Sequence, residues 1–216
     1  MNYKELSLAI RNKNIEPVYF LMGEESYYID KISNDFATKI LNEDEKTLNQ
    51  IILYGKETTI EKVLLEAKQF PFGSEKRVVI VKEAQNLKNI ELLDKYLDNP
   101  QMTTILVLAY KSKSIDKRKK FGRELNNKCV VFTSNKLYDN EIPRWILEYT
   151  INKGFQIEDS ATIILSEHLG SDLSKISNEL NKMMLAINRS ETITSKLIEY
   201  HIGISKDYNI FELQKA

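Results

Sequence analysis

The chain has 216 residues, long for one common domain and comfortable for two. Its 31 basic and 31 acidic residues cancel, which excludes a globally basic nucleic-acid coat, so any DNA contact must come from a local patch. Cys129 is the only cysteine, which excludes an intrachain disulfide and a cysteine-rich metal site; no run approaches the ~20 apolar residues of a membrane span, and a soluble, cytoplasmic protein is expected.

In chain order, Leu6, Ala9 and Ile10 stand at helical spacing. Pro17 to Met22 is a short apolar run closed by Gly23 and predicts a buried strand. Ile29, Ile32, Phe36 and Ile40 follow at spacings of 3, 4 and 4, one face of an amphipathic helix. Ile51 to Tyr54 predicts a second strand. Thr58 or Thr59 should then cap a helix carrying Ile60, Val63, Leu64 and Ala67. Val78 to Val81 predicts a third strand, Leu87 to Leu97 a helix that Pro100 cannot continue, and Thr103 to Ala109 a fourth strand. A short basic helix holds Phe121 and Leu125, and Cys129 to Thr133 is the fifth strand. Strands that are apolar throughout and alternate with helices indicate a parallel sheet covered on both faces. The pattern changes near Asn135. From Glu141 onward only helices are expected: Ile142 to Asn152, Ser160 to Leu169, Asp172 to Asn188, and Thr194 to Gly203. A domain boundary therefore falls near 135–140.

In an α/β nucleotide-binding domain the first strand runs into a glycine-rich loop. That loop cradles phosphate on backbone N–H groups and supplies a Lys for the β/γ oxygens and a Ser/Thr for magnesium. Here the strand runs into Gly23-Glu24-Glu25-Ser26-Tyr27-Tyr28. The first glycine is present; the second glycine, the Lys and the Ser/Thr after it are absent. Glu24 and Glu25 would repel phosphate. The third strand ends Val81-Lys82-Glu83, where an ATPase usually holds magnesium on an Asp. No cofactor, metal or catalytic residue is expected.

His168 and His201 lack partners at ligand spacing and read as structural or surface residues. Cys129 opens an apolar strand and reads as core. Trp145, with Ile146 and Tyr149, should pack the second domain. Gly170 reads as a helix stop, followed by a new cap at Ser171-Asp172.

Five segments, in order, resemble the delta-subunit family of the bacterial DNA polymerase III clamp loader. Pro17–Ile32 is similar to its first strand, degenerate loop and helix; Phe70–Lys82 (FPFGSEKRVVIVK) to its aromatic loop, Arg and Val-rich strand; Thr104–Leu125 to its strand and basic Asp-Lys-Arg helix. Trp145–Leu185, with Gly154, Gly170 to Leu173 and Asn178-Glu179-Leu180, is similar to its helical domain, and Tyr208–Leu213 to the entry of a third domain. The resemblance implies a RecA/AAA+-like P-loop-type α/β domain with a mostly parallel sheet over 1–137, a small all-α lid domain over 138–205, and over 206–216 the start of a truncated helical collar.

The resemblance further implies a non-hydrolysing subunit of a DNA polymerase holoenzyme that binds and opens the ring-shaped sliding clamp. Other clamp-loader subunits (gamma/tau and delta prime) would be met mainly through the third domain, and DNA in the full assembly. The clamp-binding positions it implies are Phe70, Pro71 and Phe72, with a proline where the family favours an aliphatic residue. From the residues alone, two aromatics flanking a proline at a helix end suit a pocket-filling plug, or else they pack under the sheet. Between Lys111 and Arg123 seven cations face one acid, Asp116. Lys117, Arg118 and Lys120 there read either as DNA-phosphate contacts or as a solvated helix face. Two other readings stay open: a divergent active AAA+ ATPase, and a DNA-binding adaptor acting through 111–123.

Overall fold

A computed structural model of the chain describes residues 1–202. The chain divides into two compact units, Met1–Lys136 and Leu137 onward.

The first unit opens with α1 (Tyr3–Arg11), whose Asn2 cap and Glu5 exchange hydrogen bonds as a capping box. It continues with β1 (Val18–Gly23), α2 (Ser26–Lys39), α3 (Glu43–Asn49), β2 (Gln50–Tyr54) and α4 (Ile60–Ala67), then β3 (Arg77–Lys82). Two short 3-10 turns, Ala84–Asn86 and Ile90–Leu93, lead to α5 (Asp94–Leu97). β4 (Thr104–Lys111), α6 (Lys120–Lys128) and β5 (Val130–Ser134) complete it. Of the two threonines expected to cap α4, Thr59 does so, its hydroxyl accepting from the Lys62 N–H.

All five strands are parallel, in the order β2-β3-β4-β1-β5. The alternation of side chains along each strand sorts the core into two layers. Phe20, Met22, Val79, Val81, Leu106 and Leu108 pack on one face against residues of α4, α5 and α6. Tyr19, Leu21, Val78, Ile80, Ile105 and Val107 pack on the other against Leu6 and Ile10 of α1 and Ile29, Ile32 and Phe36 of α2. The chain leaves β1 for the far edge at β2 and returns past it from β4 to β5. The end of β1 is therefore the topological switch point, where open α/β sheets place ligands.

One predicted helix breaks up. Leu87 to Leu97 is a 3-10 turn followed by the single turn of α5, because Asn89 takes a left-handed conformation (φ 55°) that no helix propagates. The helix α3 has no apolar stripe to announce it.

The second unit holds α7 (Ile142–Asn152), β6 (Gln156–Ile157), α8 (Asp159–Leu169), α9 (Leu173–Ala186), β7 (Thr192–Ile193) and α10 (Ser195–Ile202). The expectation of helices only is corrected by the parallel pair β6–β7, which ties the α7–α8 connection to the segment after α9. Ile142, Ile146, Leu165, Leu173, Leu180 and Ile198 form its core. Trp145 stacks on Tyr149, and the Tyr149 hydroxyl donates to Asn181 Oδ1 at 2.8 Å. Asp172 caps α9 by accepting from the Lys175 N–H. His168 and His201 are exposed. The Tyr208–Leu213 segment lies outside the described residues. Among the described residues no helix is long and apolar enough to cross a membrane.

Candidate functional site

Two places in the first unit merit comparison: the loop after β1, where the fold would hold nucleotide, and the loop between α4 and β3, where the aromatics stand.

The loop after β1 spends its own donors. The Gly23 N–H donates to the Lys113 carbonyl at 2.9 Å, and the Glu25 N–H to the Ser134 carbonyl at 3.2 Å. The Glu25 carboxylate is buried and accepts from the Tyr27 N–H at 2.8 Å. It thus sits at the start of α2, where helix N–H groups would otherwise receive phosphate. Gly23 has φ +137°, and a Cβ there would lie 2.0 Å from the Ser134 carbonyl oxygen. This glycine is thus present for close approach of β1 and β5. At the end of β3, Lys82 projects over the Tyr54 ring, 6.0 Å from its centroid, and the Glu83 carboxylate accepts from Asn86. These residues do not fit a magnesium–nucleotide group: one carboxylate fills the helix start and the strand end carries a cation. Among the described residues no three His, Cys, Asp or Glu side chains converge as a metal site.

The aromatic loop is the opposite case. Phe70 and Phe72 are 74% and 73% exposed, and Pro71 is half-buried. The two rings do not pack under the sheet, so of the two readings open from sequence only outward presentation survives. Exposing two large rings two residues apart forgoes burial worth about 2 kcal/mol each, and neighbouring exposed apolar side chains form the kind of patch that suits a partner surface. The backbone beneath is anchored at both ends. On the α4 side, the Ala67 carbonyl accepts from the buried Tyr96 hydroxyl at 3.0 Å, and the Gln69 carbonyl from the Thr104 hydroxyl at 2.7 Å. On the β3 side, the Ser74 hydroxyl donates to Glu45 at 2.8 Å. Between these anchors Asn49, the last residue of α3 and 1% exposed, brackets Phe72. Its Oδ1 accepts from the Phe72 N–H at 2.7 Å and its Nδ2 donates to the Phe72 carbonyl at 2.9 Å.

Arg77, quoted in the sequence motif only for its place before the strand, joins the flanking helices. Its guanidinium pairs with Glu66 of α4 at 2.5 Å and donates to the Leu48 carbonyl of α3 at 3.0 Å. Asn49, Glu45 and Glu66 escaped sequence reasoning, since none lies in an apolar pattern or in the quoted motif. Leu48 and Met102, 57% and 62% exposed, accept at their carbonyls from Arg77 and Lys76.

Most cations of the basic segment are exposed, but Lys111 is half-buried and pairs with Asp30. Arg118 is engaged with Asp116 through Nε and Nη2, both at 3.1 Å, and this pairing holds the Asp116 carboxyl below its ordinary range. Lys117 and Lys120 are exposed, and neither forms an ion pair among the described residues. Gly122 lets α6 lie on this turn, because a Cβ there would be 2.2 Å from the Asp116 carbonyl oxygen. Cys129 donates to the Leu125 carbonyl at 3.1 Å, and burial pushes its thiol up to about 12, as expected of a core residue.

Comparison with known proteins gives one family and one fold. The family model described as DNA polymerase III, delta subunit, matches residues 19–135. DNA polymerase III subunit delta of Bacillus subtilis is 25% identical over 219 residues, covering 95% of this chain and 62% of the relative. A probable DNA polymerase III subunit delta of Aquifex aeolicus is 25% identical over 211 residues, covering 91% and 58%. The chain thus spans about three fifths of the length of the curated relatives it matches. Among solved structures, the B. subtilis DNA clamp loader delta protein superposes with a TM-score of 0.74 at 24% identity, over 98% of this chain and 65% of that one. The Thermotoga maritima RuvB Holliday junction branch migration motor superposes at 0.50 and 14%, over 93% and 67%. These likenesses confirm an AAA+-like α/β architecture.

Proposed function

The chain belongs to the DNA polymerase III delta-subunit family, and from that premise we propose that it binds the sliding clamp (beta subunit) through Phe70, Pro71 and Phe72 and opens it for loading on DNA. The observation that carries the proposal is the pair of three-quarters-exposed phenylalanines on a backbone anchored from three sides. Buried aromatic anchors dominate interface energies, and a pre-ordered one loses less entropy on docking.

The chain works by binding and leaves hydrolysis to neighbouring subunits. The engaged N–H groups of Gly23 and Glu25 and the Lys82 strand end support that division of labour. Residues 1–137 form the clamp-binding, AAA+-like domain and 138–205 the lid. The gamma/tau and delta prime subunits of the clamp loader are further partners. In the full assembly DNA phosphate meets Lys117 and Lys120, with Arg118 held back by Asp116.

The test is a pair of titrations of the purified chain by calorimetry. Saturable binding to the clamp of the same cell is expected, and none to ATP with magnesium. A folded chain that ignores the clamp sinks the proposal. Micromolar, magnesium-dependent ATP binding would restore the ATPase reading.

A further inference from the structure

We infer that Asn49 is the positioning residue of the clamp-binding loop: it presets the backbone of Phe72 so that the ring is presented already ordered. The inference rests on the clamp-binding reading of Phe72 and adds to it the group that makes the plug rigid.

The geometry is specific. A side-chain amide carries both a donor and an acceptor in one plane, so it can replace a strand in pairing with one residue's N–H and C=O. Asn49 does this with Phe72, at 2.7 and 2.9 Å, across 23 residues of sequence. Its second Nδ2 proton donates to the Glu45 carbonyl at 3.2 Å, inside its own helix. Three of its four hydrogen-bonding sites are therefore used, and its orientation is the only one that satisfies all three bonds. The residue is 1% exposed, whereas the ring it serves is 73% exposed. A buried amide bonded to the backbone of an exposed aromatic ties that residue to its own helix. What it does is restrict the φ and ψ of a residue that solvent would otherwise leave free.

Neighbouring bonds fix the support and not the plug. Ser74 with Glu45 and Arg77 with Glu66 hold the loop's exit and α3 against α4; only Asn49 is bonded to Phe72 itself among the hydrogen bonds of the described residues. The chemistry recognised on the partner is an apolar pocket that admits one phenyl ring in one orientation. Such a pocket rewards a preset backbone more than a large contact area does.

The experiment is a double-mutant cycle on the full chain, titrated against the sliding clamp of the same cell. Asn49→Ala is expected to weaken clamp binding about tenfold. In a Phe72→Ala background the same substitution should change affinity by less than about twofold, because no plug remains to position. A purely structural Asn49 would instead lower affinity equally in both backgrounds. Equal losses, or an unchanged affinity for Asn49→Ala alone, overturn the inference while leaving the clamp-binding reading intact. If Phe72→Ala itself leaves affinity unchanged, the reading falls and the inference with it. Should Asn49→Ala fail to fold, hydrogen exchange in the unsubstituted chain decides. The Phe72 amide is expected to exchange at least tenfold more slowly than the Gly73 amide, and equal rates refute the lock.

Discussion

Replacing Phe72 by alanine separates binding from folding. A phenylalanine carries roughly 200 Å² of surface, and Phe72 shows 73% of its own to solvent, leaving roughly 145 Å² for a partner to cover. At ~25 cal/mol per Å² that sets a ceiling of about 3.5 kcal/mol. The alanine methyl keeps part of the area and docking still orders the ring, so about 2 kcal/mol is the expected loss, roughly thirtyfold in Kd. The folded chain loses little, because the ring is in water and the bonds to Asn49 use only backbone atoms. Its melting temperature should stay within about 2 °C of the parent. Titration against the clamp at fixed salt, beside thermal unfolding followed by circular dichroism, reads both quantities. An affinity within threefold of the parent in a chain that melts normally refutes the reasoning. So does an affinity that falls only because the chain has lost stability.

Three further outcomes follow from the described contacts. Gly23→Ala forces a Cβ to within 2.0 Å of the Ser134 carbonyl at a φ of +137°; it should destabilise the first unit by about 3 kcal/mol or more, a drop of roughly 6–12 °C on thermal unfolding, and a drop under 2 °C would contradict the close approach of β1 and β5. Cys129, with its thiol held near 12 against an ordinary 9.0, should react with iodoacetamide at pH 8 on the order of a thousandfold more slowly in the native chain than in urea. Because the folded state retains this proton longer than the unfolded one, the contribution to stability is whole below pH 9 and drains away as pH rises toward 12; a pH-independent unfolding midpoint difference between the parent and Cys129→Ser across that range would show otherwise.

The sheet was legible because its strands are apolar throughout. Val78 to Val81 and Thr104 to Ala109 are buried on both faces and cannot be mistaken for surface. The long amphipathic helices were legible from their spacing, as with Ile29, Ile32 and Phe36. What was not legible has local physical causes. Helix α3 reads EDEKTLN, and its one large apolar side chain, Leu48, faces solvent, so no periodicity marks it. The strands β6 and β7 have two residues each, too few to show an alternation. The turn at Asn89 depends on a left-handed backbone that asparagine permits without requiring. At the site, the aromatics were visible as residue types, but their outward direction was not. The loop backbone beneath them is held by Asn49, Glu45 and Thr104, which lie 23 to 35 residues from their partners. Polar pairings at such distances leave no trace in composition or period.

The closure of the loop at Gly23 also bears on reversibility. Side chains lost from a phosphate site can be restored one at a time, and a lineage that lost only the Lys and the Ser/Thr could regain them. Here the Ser134 carbonyl lies against Gly23 and already accepts from the Glu25 N–H. Writing Lys and Ser into Gly23 to Tyr28 would add ligands beside a backbone donor that is already engaged. A phosphate seat would also need that bond to open, which replacing side chains does not by itself supply.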